Sequence, residues 1–380
     1  MTILFVTECD YPEGSAPAVR FHMLMKALQE RGHVCQMICM SKTMKSGIYD
    51  GVSFISFRDP PATKVKTAFK YLCYSHRLKK HLKENHYDGI LCSQPNLLSV
   101  FNIIKRYGEK TGCVIVHNMM DWFSSENYSS KFNVDYLIGN LYMEKWTIPP
   151  WRVLAISFML EDYFKNKGCI CARIPSLMDF EKIPHRPKRP GDKIIIAYAG
   201  RPGTKDYIGC VVRAAMKLKP EQQKKMEFRF IGASRDSIFE LAQLSDSEAA
   251  IASQFIKCIS NLPRKDVLEE LQNADFTILF RNADMRYAKA GFPTKAVESL
   301  ATGTPILCNL SSDLGLYLKD MENAIIAKDY SEEEILRVLE RAISLSPEER
   351  IRMSERAYTI GRNSLDYHVY AEKIEKLFTK

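Results

Sequence analysis

The feature that most constrains the fold of this chain is its repeated alternation of short apolar segments with longer amphipathic ones. The apolar run ILFVT precedes APAVRFHMLMKALQERGH, whose apolar residues recur at helical spacing. The same order continues through VCQMICM, GILCS, CVIVHN and RVLAIS. Strands that alternate with helices favour a parallel sheet covered by helices on both faces.

The alternation is interrupted once, at IPSLMDFEKIPHRPKRPGDK, and then starts again. The interruption has the composition of a linker, with one glycine and four prolines at Gly191, Pro175, Pro184, Pro187 and Pro190. After it, IIIAYAG, MEFRFIG, DFTILF and PILCNL repeat the strand pattern. The sequence therefore predicts two α/β domains joined near residues 180 to 192, in agreement with a length of 380 residues.

Composition indicates an ordinary globular protein, with 46% hydrophobic and 26% charged residues. No apolar run is long enough to span a bilayer, and the start MTILFVTECDYP lacks the basic and long apolar regions of a signal peptide. The 11 cysteines are scattered without a CxxC pair, which indicates reduced core thiols rather than a zinc site. We therefore expect a cytoplasmic location.

Positive charge is concentrated in KVKTAFKYLCYSHRLKKHLKENH, from Lys64 to His86, where Glu84 is the one acidic residue. One interpretation is the solvated face of a helix that packs on the core. The other is an electrostatic contact with an anionic membrane surface or a pyrophosphate-bearing lipid. We do not expect a nucleic-acid partner, because no recognition motif accompanies the charge.

Ligands of open α/β sheets bind at the carboxyl ends of the strands, so the loops that follow strands are the candidate sites. The loop YAGRPGTKDYIG places Arg201 and Lys205 between a strand and a helix start. Glycines allow close approach of a ligand, and the free N–H groups of a helix start attract anions. The alternative is a solvent-exposed turn with chance charges.

A second loop, AGFPTKAVES, also follows a strand and opens a helix, with Thr294 as a plausible cap. Lys295 puts a cation at the positive end of the helix, which is unfavourable unless an anion is bound. Because two loops share this feature, we predict one polyanion, such as a diphosphate, between them. Glu298 suits a ribose diol, since a carboxylate accepts two hydroxyl hydrogen bonds; the alternative is an ion pair with Lys295.

Two further loops lie in the first half of the chain. Gly14 and Ser15 form a turn before a helix, which is either a ligand loop or an ordinary β–α turn. His117 ends the strand CVIVHN, with Asp121 just beyond it. A histidine at this place is either an active-site candidate or a hydrogen-bonded structural residue.

With these segments together, the chain resembles glycosyltransferases of the GT-B fold, in the large retaining family four of nucleotide-sugar transferases. ILFVTECDYPEGSAPAVRFHMLMKALQERGH resembles the opening strand, loop and helix of that family. AYAGRPGTKD resembles its diphosphate loop, and GFPTKAVESLATGTPILCN and SSDLGLYLKDMENAIIA resemble its diagnostic segments. The match is specific in the second half and looser in the first.

The resemblance implies a fold and a division of the chain. The fold class is α/β, with two Rossmann-like parallel-sheet domains facing a cleft and a C-terminal helix that crosses back to the first domain. We expect an acceptor-side domain over residues 1–182, a nucleotide-sugar-binding domain over 183–362 and the returning helix over 363–380.

The resemblance also implies roles for residues at matching positions. The donor diphosphate is assigned to Arg201, Lys205, Thr294 and Lys295, and the donor ribose to Glu298. His117 and Asp121 are the catalytic candidates, and Leu262, in CISNLPRKD, is the candidate for the nucleobase. The donor sugar side is assigned to Arg281, Gly291, Phe292, Gly14 and Ser15.

One position departs from the family pattern. Relatives often carry a second glutamate eight residues before the ribose glutamate, and this chain has Ala290 there. We expect Arg281, at the end of the preceding strand, or Lys289 to reach the same space.

The resulting expectation is a retaining hexosyltransferase that uses a UDP- or GDP-linked sugar as co-substrate and no other cofactor. No Asp-x-Asp motif occurs in the sequence, so we expect no metal site. Expected partners are a saccharide or lipid-linked acceptor in surface polysaccharide synthesis and, through residues 64–86, the cytoplasmic face of a membrane. Two alternatives remain open, a nucleotide-sugar-binding scaffold without turnover and a GT-B-like nucleotide-sugar epimerase.

Overall fold

The computed structural model describes residues 1–12, 15–40, 46–57, 67–93, 98–128, 130, 132–188, 191–203, 205–260 and 262–379, and the side chains of residues 67–72 stand outside this description. Several parts of the sequence interpretation therefore lie outside the described residues, namely Gly14, Pro190, Thr204 of YAGRPGTKDYIG, Asn261 of CISNLPRKD and residues 64–66 of the basic segment.

Contacts along the backbone divide the chain into two compact units. Unit 1 comprises Met1–Leu177, Ala290–Phe292 and Tyr367–Lys380, and unit 2 comprises Met178–Lys289 and Pro293–Asp366. Each unit is built on a parallel sheet, which confirms the predicted α/β class with two parallel-sheet domains.

The boundaries differ by a few residues from those expected at 182/183 and 362/363. The structure moves the first boundary to 177/178 because residues 178–180 pair with the end of the last long helix of unit 2. The N–H of Met178 donates to the carbonyl of Leu365 at 3.1 Å, and the N–H of Phe180 donates to Asp366 Oδ2 at 3.1 Å.

In the described part of unit 1, eight strands form one sheet in the order β3-β4-β2-β1-β5-β6-β7-β8. Neighbouring strands are parallel except for the antiparallel β3–β4 pair. The strands are β1 (Thr2–Val6), β2 (Val34–Cys39), β3 (Ser46–Tyr49), β4 (Val52–Ser56), β5 (Gly89–Ser93), β6 (Val114–Met119), β7 (Arg152–Ala155) and β8 (Ile170–Arg173).

Two helices of unit 1 begin at serine caps. Ser15 Oγ accepts the N–H of Ala18 at the start of α1, and Ser157 Oγ accepts the N–H of Leu160 at the start of α5. The helices are α1 (Ala16–Glu30), α2 (Thr67–Glu84), α3 (Leu98–Thr111), α4 (Val134–Leu141), which continues into a π-helical turn (Tyr142–Trp146), and α5 (Phe158–Asn166).

The segment after Asp366 packs on α1 and the central strands of unit 1. A 3₁₀ turn (Tyr367–Tyr370) leads into a short helix (Ala371–Glu375). Ile374 and Phe378 are buried in one apolar cluster with Phe5 of β1. A Cβ atom added at Gly89 would come within 2.5 Å of the Phe378 ring, so only glycine leaves room for that ring beside β5.

In unit 2, six strands of the described residues form a parallel sheet in the order β11-β10-β9-β12-β13-β14. The strand order reverses between β9 and β12, where Phe276 pairs with Ile196. The strands are β9 (Ile194–Ala199), β10 (Met226–Ile231), β11 (Ile256–Ile259), β12 (Phe276–Leu279), β13 (Ile306–Asn309) and β14 (Ala324–Ala327).

Helices separate these strands, as the alternation predicts. They are α6 (Ile208–Met216), α7 (Pro220–Gln223), α8 (Arg235–Ala242), α9 (Asp246–Ala252), α10 (Arg264–Asn273), α11 (Arg286–Ala290), α12 (Thr294–Ala301), α13 (Glu332–Ser344) and α14 (Pro347–Leu365).

The linker is attached to unit 2 by Lys188. Its Nζ atom donates to the carbonyls of Gln272 and Ala274, each at 2.6 Å, and to Thr304 Oγ1 at 2.8 Å. Burial of this amine lowers its pKa to about 7.

Among the helices of the described residues, none combines the length and apolar character needed to cross a bilayer.

Candidate functional site

The loop after β9 has a backbone that only glycine tolerates. Gly200 adopts φ +124°, and a Cβ atom at this position would lie 3.3 Å from Cε and 3.4 Å from Nζ of Lys295. The first loop and the start of α12 therefore meet in unit 2. The two loops are predicted to share one anion, and the structure brings their glycine and lysine together.

A buried carboxylate joins these elements. Asp206, which was not among the predicted site residues, accepts a hydrogen bond from Arg281 Nε at 2.7 Å and lies 3.0 Å from Lys295 Nζ. The hydroxyl of Tyr198, on β9, donates to the same carboxylate at 2.8 Å. We call Asp206, Arg281, Lys295 and Tyr198 the Asp206 cluster.

Electrostatics keep Asp206 ionised. Burial raises the pKa of this carboxyl, but Arg281 and Lys295 outweigh burial and bring the pKa to about 2. Lys295 Nζ also lies 5.0 Å from the centre of the Tyr198 ring, a cation–π distance. A cation at a helix start, unfavourable by itself, is thus balanced here by a buried carboxylate.

Asn309 fixes the backbone of Arg281 at the end of β12. Its Oδ1 accepts the Arg281 N–H at 2.9 Å, and its Nδ2 donates to the Arg281 carbonyl at 2.7 Å. The side chain of Arg281 is then directed to Asp206. The expected contact of Arg281 with the donor sugar stays a prediction.

The other two cations of the first loop are more accessible than the cluster. Arg201 is exposed and Lys205 is half-buried. The hydroxyl of Tyr287 donates to the Lys205 carbonyl at 3.1 Å, and Lys205 Nζ lies 5.6 Å from the centre of the Tyr287 ring. Both side chains stay candidates for the diphosphate.

Glu298 is paired with Arg264 rather than with Lys295. Arg264 NH1 donates to Glu298 Oε1 at 2.8 Å, so the alternative Lys295–Glu298 ion pair is wrong. Lys295 is already paired with Asp206, whereas Arg264, at the start of α10, comes within hydrogen-bond distance of Glu298 on α12. Leu262, the nucleobase candidate, is half-buried two positions before Arg264.

The residues at the start of AGFPTKAVES divide between the two units. Ala290, Gly291 and Phe292 cluster with unit 1, whereas Thr294 opens α12 in unit 2. Ala290, Gly291 and Phe292 are buried, and Thr294 is half-buried. Their expected proximity to the donor stays a prediction.

In unit 1, His117 lies inside the core, with a residue exposure of 1%. Its ring stacks on Trp151 at 4.4 Å between centroids, and Nδ1 is hydrogen-bonded to the hydroxyl of Tyr142. Burial lowers the pKa of His117 to about 3, so the ring is neutral at physiological pH. This geometry favours the structural interpretation of His117, because Trp151 and Tyr142 enclose the ring within the core.

Asp121 lines a cavity of about 240 Å³ in unit 1. Trp122 Nε1 donates to Asn140 Oδ1 at 3.0 Å on its wall. The lining is polar and aromatic, with the carboxylates Asp121 and Asp135, the amides Asn118 and Asn140, and the rings of Trp122, Phe123, Tyr128 and Tyr136. Amides and carboxylates beside aromatic faces are suited to sugar hydroxyls and to the apolar faces of sugar rings.

Two residues of the first loop and helix have structural roles. Ser15 caps α1, as described above. Arg20 is buried and donates to Asn118 Oδ1 at 3.1 Å and to the carbonyls of Ile174 and Pro175. It therefore joins α1 to the strand that carries His117 and to the end of β8.

Over the described ranges, no group of three or more histidine, cysteine or acidic side chains has an arrangement that could hold a metal ion.

Comparison with known proteins identifies a family for the second part of the chain. Residues 179–360 match the family model described as Glycosyl transferases group 1. No relative was found among curated proteins.

Solved structures share the fold along nearly the whole chain. Sucrose-phosphate synthase from Thermosynechococcus elongatus has a TM-score of 0.76 at 13% identity, over 99% of this chain and 98% of that one. Anabaena HepE in complex with UDP and glucose has 0.69 at 13% identity, over 98% of each chain. WaaG, a glycosyltransferase involved in lipopolysaccharide biosynthesis, has 0.70 at 15% identity, over 99% of each chain.

The family match covers unit 2, with its Gly200 loop, Asp206 cluster and Glu298, and the structural matches extend the fold to unit 1. The predicted GT-B recognition is thereby confirmed, because residues 179–360 match the model of the group 1 glycosyltransferases and the solved structures share the fold over both units.

Proposed function

We propose that this protein transfers a hexosyl group from a UDP- or GDP-linked donor to a saccharide or lipid-linked saccharide, with retention of configuration and without a metal ion. The observation that carries the proposal is the meeting of the Gly200 loop and the start of α12 at Lys295, next to the Asp206 cluster. Glu298 stands one helical turn after Lys295, on the same helix.

The cluster suggests how a diphosphate is held. Lys295 and Arg281 are oriented by Asp206 before a ligand arrives, so little reorganisation is needed when phosphate charge comes near. Arg201 and Lys205 add two cations from the first loop. Charge that is already in place at a developing anion is usually the largest contribution to catalysis, and here it would stabilise the leaving nucleoside diphosphate.

Glu298 is suited to the donor ribose. Arg264 holds its Oε1 atom at 2.8 Å, and a carboxylate keeps further acceptor capacity for hydroxyl groups. The solved HepE structure with UDP and glucose supports a nucleotide-sugar donor for this fold.

The acceptor is assigned to unit 1. The cavity around Asp121 carries two carboxylates and two amides, which suits a neutral saccharide better than an anionic one. Asp121 stays a candidate for the catalytic residue, and His117 retains that candidacy only if its ring becomes accessible. We place the protein in the cytoplasm, with peripheral membrane contact, in surface polysaccharide synthesis.

Thermal unfolding with UDP, GDP and the 2′-deoxy analogue of each tests the donor site. We expect one diphosphate to raise the melting temperature, because a ligand bound to the folded state stabilises it. The deoxy analogue should be weaker for the wild type and equal to its parent for Glu298→Gln. No stabilisation by either diphosphate would contradict the proposed site.

Turnover tests the reaction. Donor and acceptor saccharides are incubated in excess chelator, and the product linkage is determined by NMR. Transfer with retention is expected. A strict metal requirement would contradict the metal-independent mechanism, conversion of the donor without acceptor would indicate an epimerase, and binding without turnover would favour the scaffold alternative suggested by Ala290.

A further inference from the structure

Unit 1 contains a second and larger concave site, a cleft of about 820 Å³ between α2 and α3. Two hydrogen bonds hold its ends, Ser75 Oγ to Ser99 Oγ at 2.8 Å and the hydroxyl of Tyr107 to the Asn85 carbonyl at 3.2 Å. We call it the α2–α3 cleft. The proposed transfer reaction does not use it.

The rim of the cleft is cationic on both helices. Its basic side chains are His76, Lys79, Lys83, His86, Arg106 and Lys110, and its one carboxylate is Glu84. Within the ranges that the structure describes, the lysines and the arginine of this rim have no acidic partner. Such a concentration of like charge is unfavourable without an anion, because each cation repels its neighbours.

The floor of the cleft is apolar. Leu82 and Ile103 line it together with the ring of Tyr107, and all three belong to or pack against the apolar cluster below α2 and α3. The Tyr107 hydroxyl also accepts the N–H of Tyr87 at 2.8 Å, so its polar atom is already engaged. A cationic rim above an apolar floor is complementary to an anionic amphiphile, whereas a soluble anion would leave the floor uncovered.

We propose that the α2–α3 cleft binds the phosphate group of an anionic membrane phospholipid, with the first carbons of the lipid chains on Leu82, Ile103 and Tyr107. The inference rests on the proposed function in one respect, since it gives the expected membrane contact a defined binding site. It also adds α3, which the sequence interpretation of residues 64–86 did not include.

Vesicle flotation of the full chain tests the proposal. The wild type should float with phosphatidylcholine vesicles that contain phosphatidylglycerol and stay behind with phosphatidylcholine alone. The double variant Lys83→Glu/Lys110→Glu reverses one rim charge on each helix. Each basic residue at a membrane surface contributes about 1 kcal/mol to binding, and a loss of about 1.4 kcal/mol lowers the affinity about tenfold. The partition coefficient of the double variant should therefore fall at least about 30-fold.

The chain offers a matched control on the same two helices. Lys80→Glu/Lys105→Glu makes the same charge change at exposed residues outside the cleft, where each lysine forms only a loose i,i+4 pair. We expect it to lose clearly less binding than the cleft variant, because neither lysine lines the cleft. Equal losses in the two double variants would overturn the cleft and leave general surface charge as the explanation.

Two further measurements separate the ligand sources. Dihexanoyl phosphatidylglycerol, used as a soluble monomer, should shift amide signals of α2 and α3 in the wild type and not in the cleft variant. Displacement from vesicles by inorganic pyrophosphate, at an ionic strength where chloride has no effect, would overturn the lipid assignment in favour of a soluble anion. Stabilisation by the nucleoside diphosphate that binds the wild type should be the same in both double variants, so loss of lipid binding is distinguishable from failure of the donor site.

Discussion

The Asp206 cluster allows a quantitative prediction for Asp206→Asn. Arg281 and Lys295 overcome burial and lower the pKa of this carboxyl from 3.8 to about 2. A shift of roughly 2 units corresponds to about 2.5 kcal/mol in favour of the charged form. Because the folded-state pKa is the lower one, this stabilisation is fully present above pH 3.8 and is lost as the pH falls towards about 2.

Asparagine removes the charge but keeps the shape, so the variant loses this stabilisation at pH 7 and leaves two cations beside each other. Removal of one partner of a buried ion pair costs about 3–5 kcal/mol. Lys295 is partly exposed, with a side-chain exposure of 27%, and we therefore expect a loss in the free energy of unfolding of about 2–4 kcal/mol.

The assay is urea unfolding at pH 7, followed by circular dichroism. Asp236→Asn is the matched control, because it makes the same substitution in unit 2 at a side chain that is 94% exposed. The control should change the free energy of unfolding by less than about 0.5 kcal/mol. Equal effects of the two substitutions would refute the view that Asp206 organises the two cations.

Three further predictions concern single residues. The pKa of Lys188 is about 7 in the folded state and 10.5 in the free side chain, so the unfolded state binds more protons above pH 7. The free energy of unfolding should therefore rise by about 1 kcal/mol per pH unit between pH 7 and 8.5. Urea titrations of Lys188→Met should show a flatter dependence on pH. The pKa of His117 is about 3 in the folded state and 6.5 in the free side chain, so stability should fall as the pH drops below 6.5. Melting curves of His117→Phe should show a weaker loss of stability in acid. The same loss in the variant and the wild type would contradict a buried neutral ring. Gly200→Ala should lower the affinity for the nucleoside diphosphate at least about tenfold, as measured by calorimetry. The reason is that alanine is strained at φ +124° and its Cβ atom would contact Lys295. Gly203→Ala is the control and should leave the affinity unchanged, because a Cβ atom has open space there.

The sequence predicted the sheets and the loops of unit 2 because both depend on local patterns. Alternation of apolar and amphipathic segments reports which residues are buried, and burial selects the parallel sheets. The two loops were found because each combines glycine or proline with a lysine at a helix start, and such a combination is unfavourable without a counter-charge.

The partners of those lysines could not be predicted, because they depend on contacts distant in sequence. Asp206 was overlooked although it directly follows Lys205, since a carboxylate beside two cations gives no signal until Arg281 and Lys295 are placed around it. Arg264 lay within the segment assigned to the nucleobase, but only the approach of α10 to α12 shows that it holds Glu298.

His117 shows the same limit in unit 1. Its place at the end of β6 was predictable from the apolar run, and a strand end is where catalytic residues occur. Its enclosure depends on Trp151 and Tyr142, which follow much later in the chain. The cavity at Asp121 likewise needs α4 beside the end of β6, and no local pattern predicts that placement.

The return of residues 367–379 to unit 1 sets an order for folding during synthesis. Ile374 and Phe378 complete the apolar cluster around Phe5, yet a ribosome makes them only after all of unit 2. The core of unit 1 can therefore be completed only after unit 2 has been synthesised, although most of unit 1 is translated first. Until then, β1, α1 and Gly89 expose the apolar surface that Phe378 covers in the folded protein. We expect nascent chains halted before Tyr367 to need a chaperone for unit 1 and to be cleaved there by protease, with unit 2 already resistant.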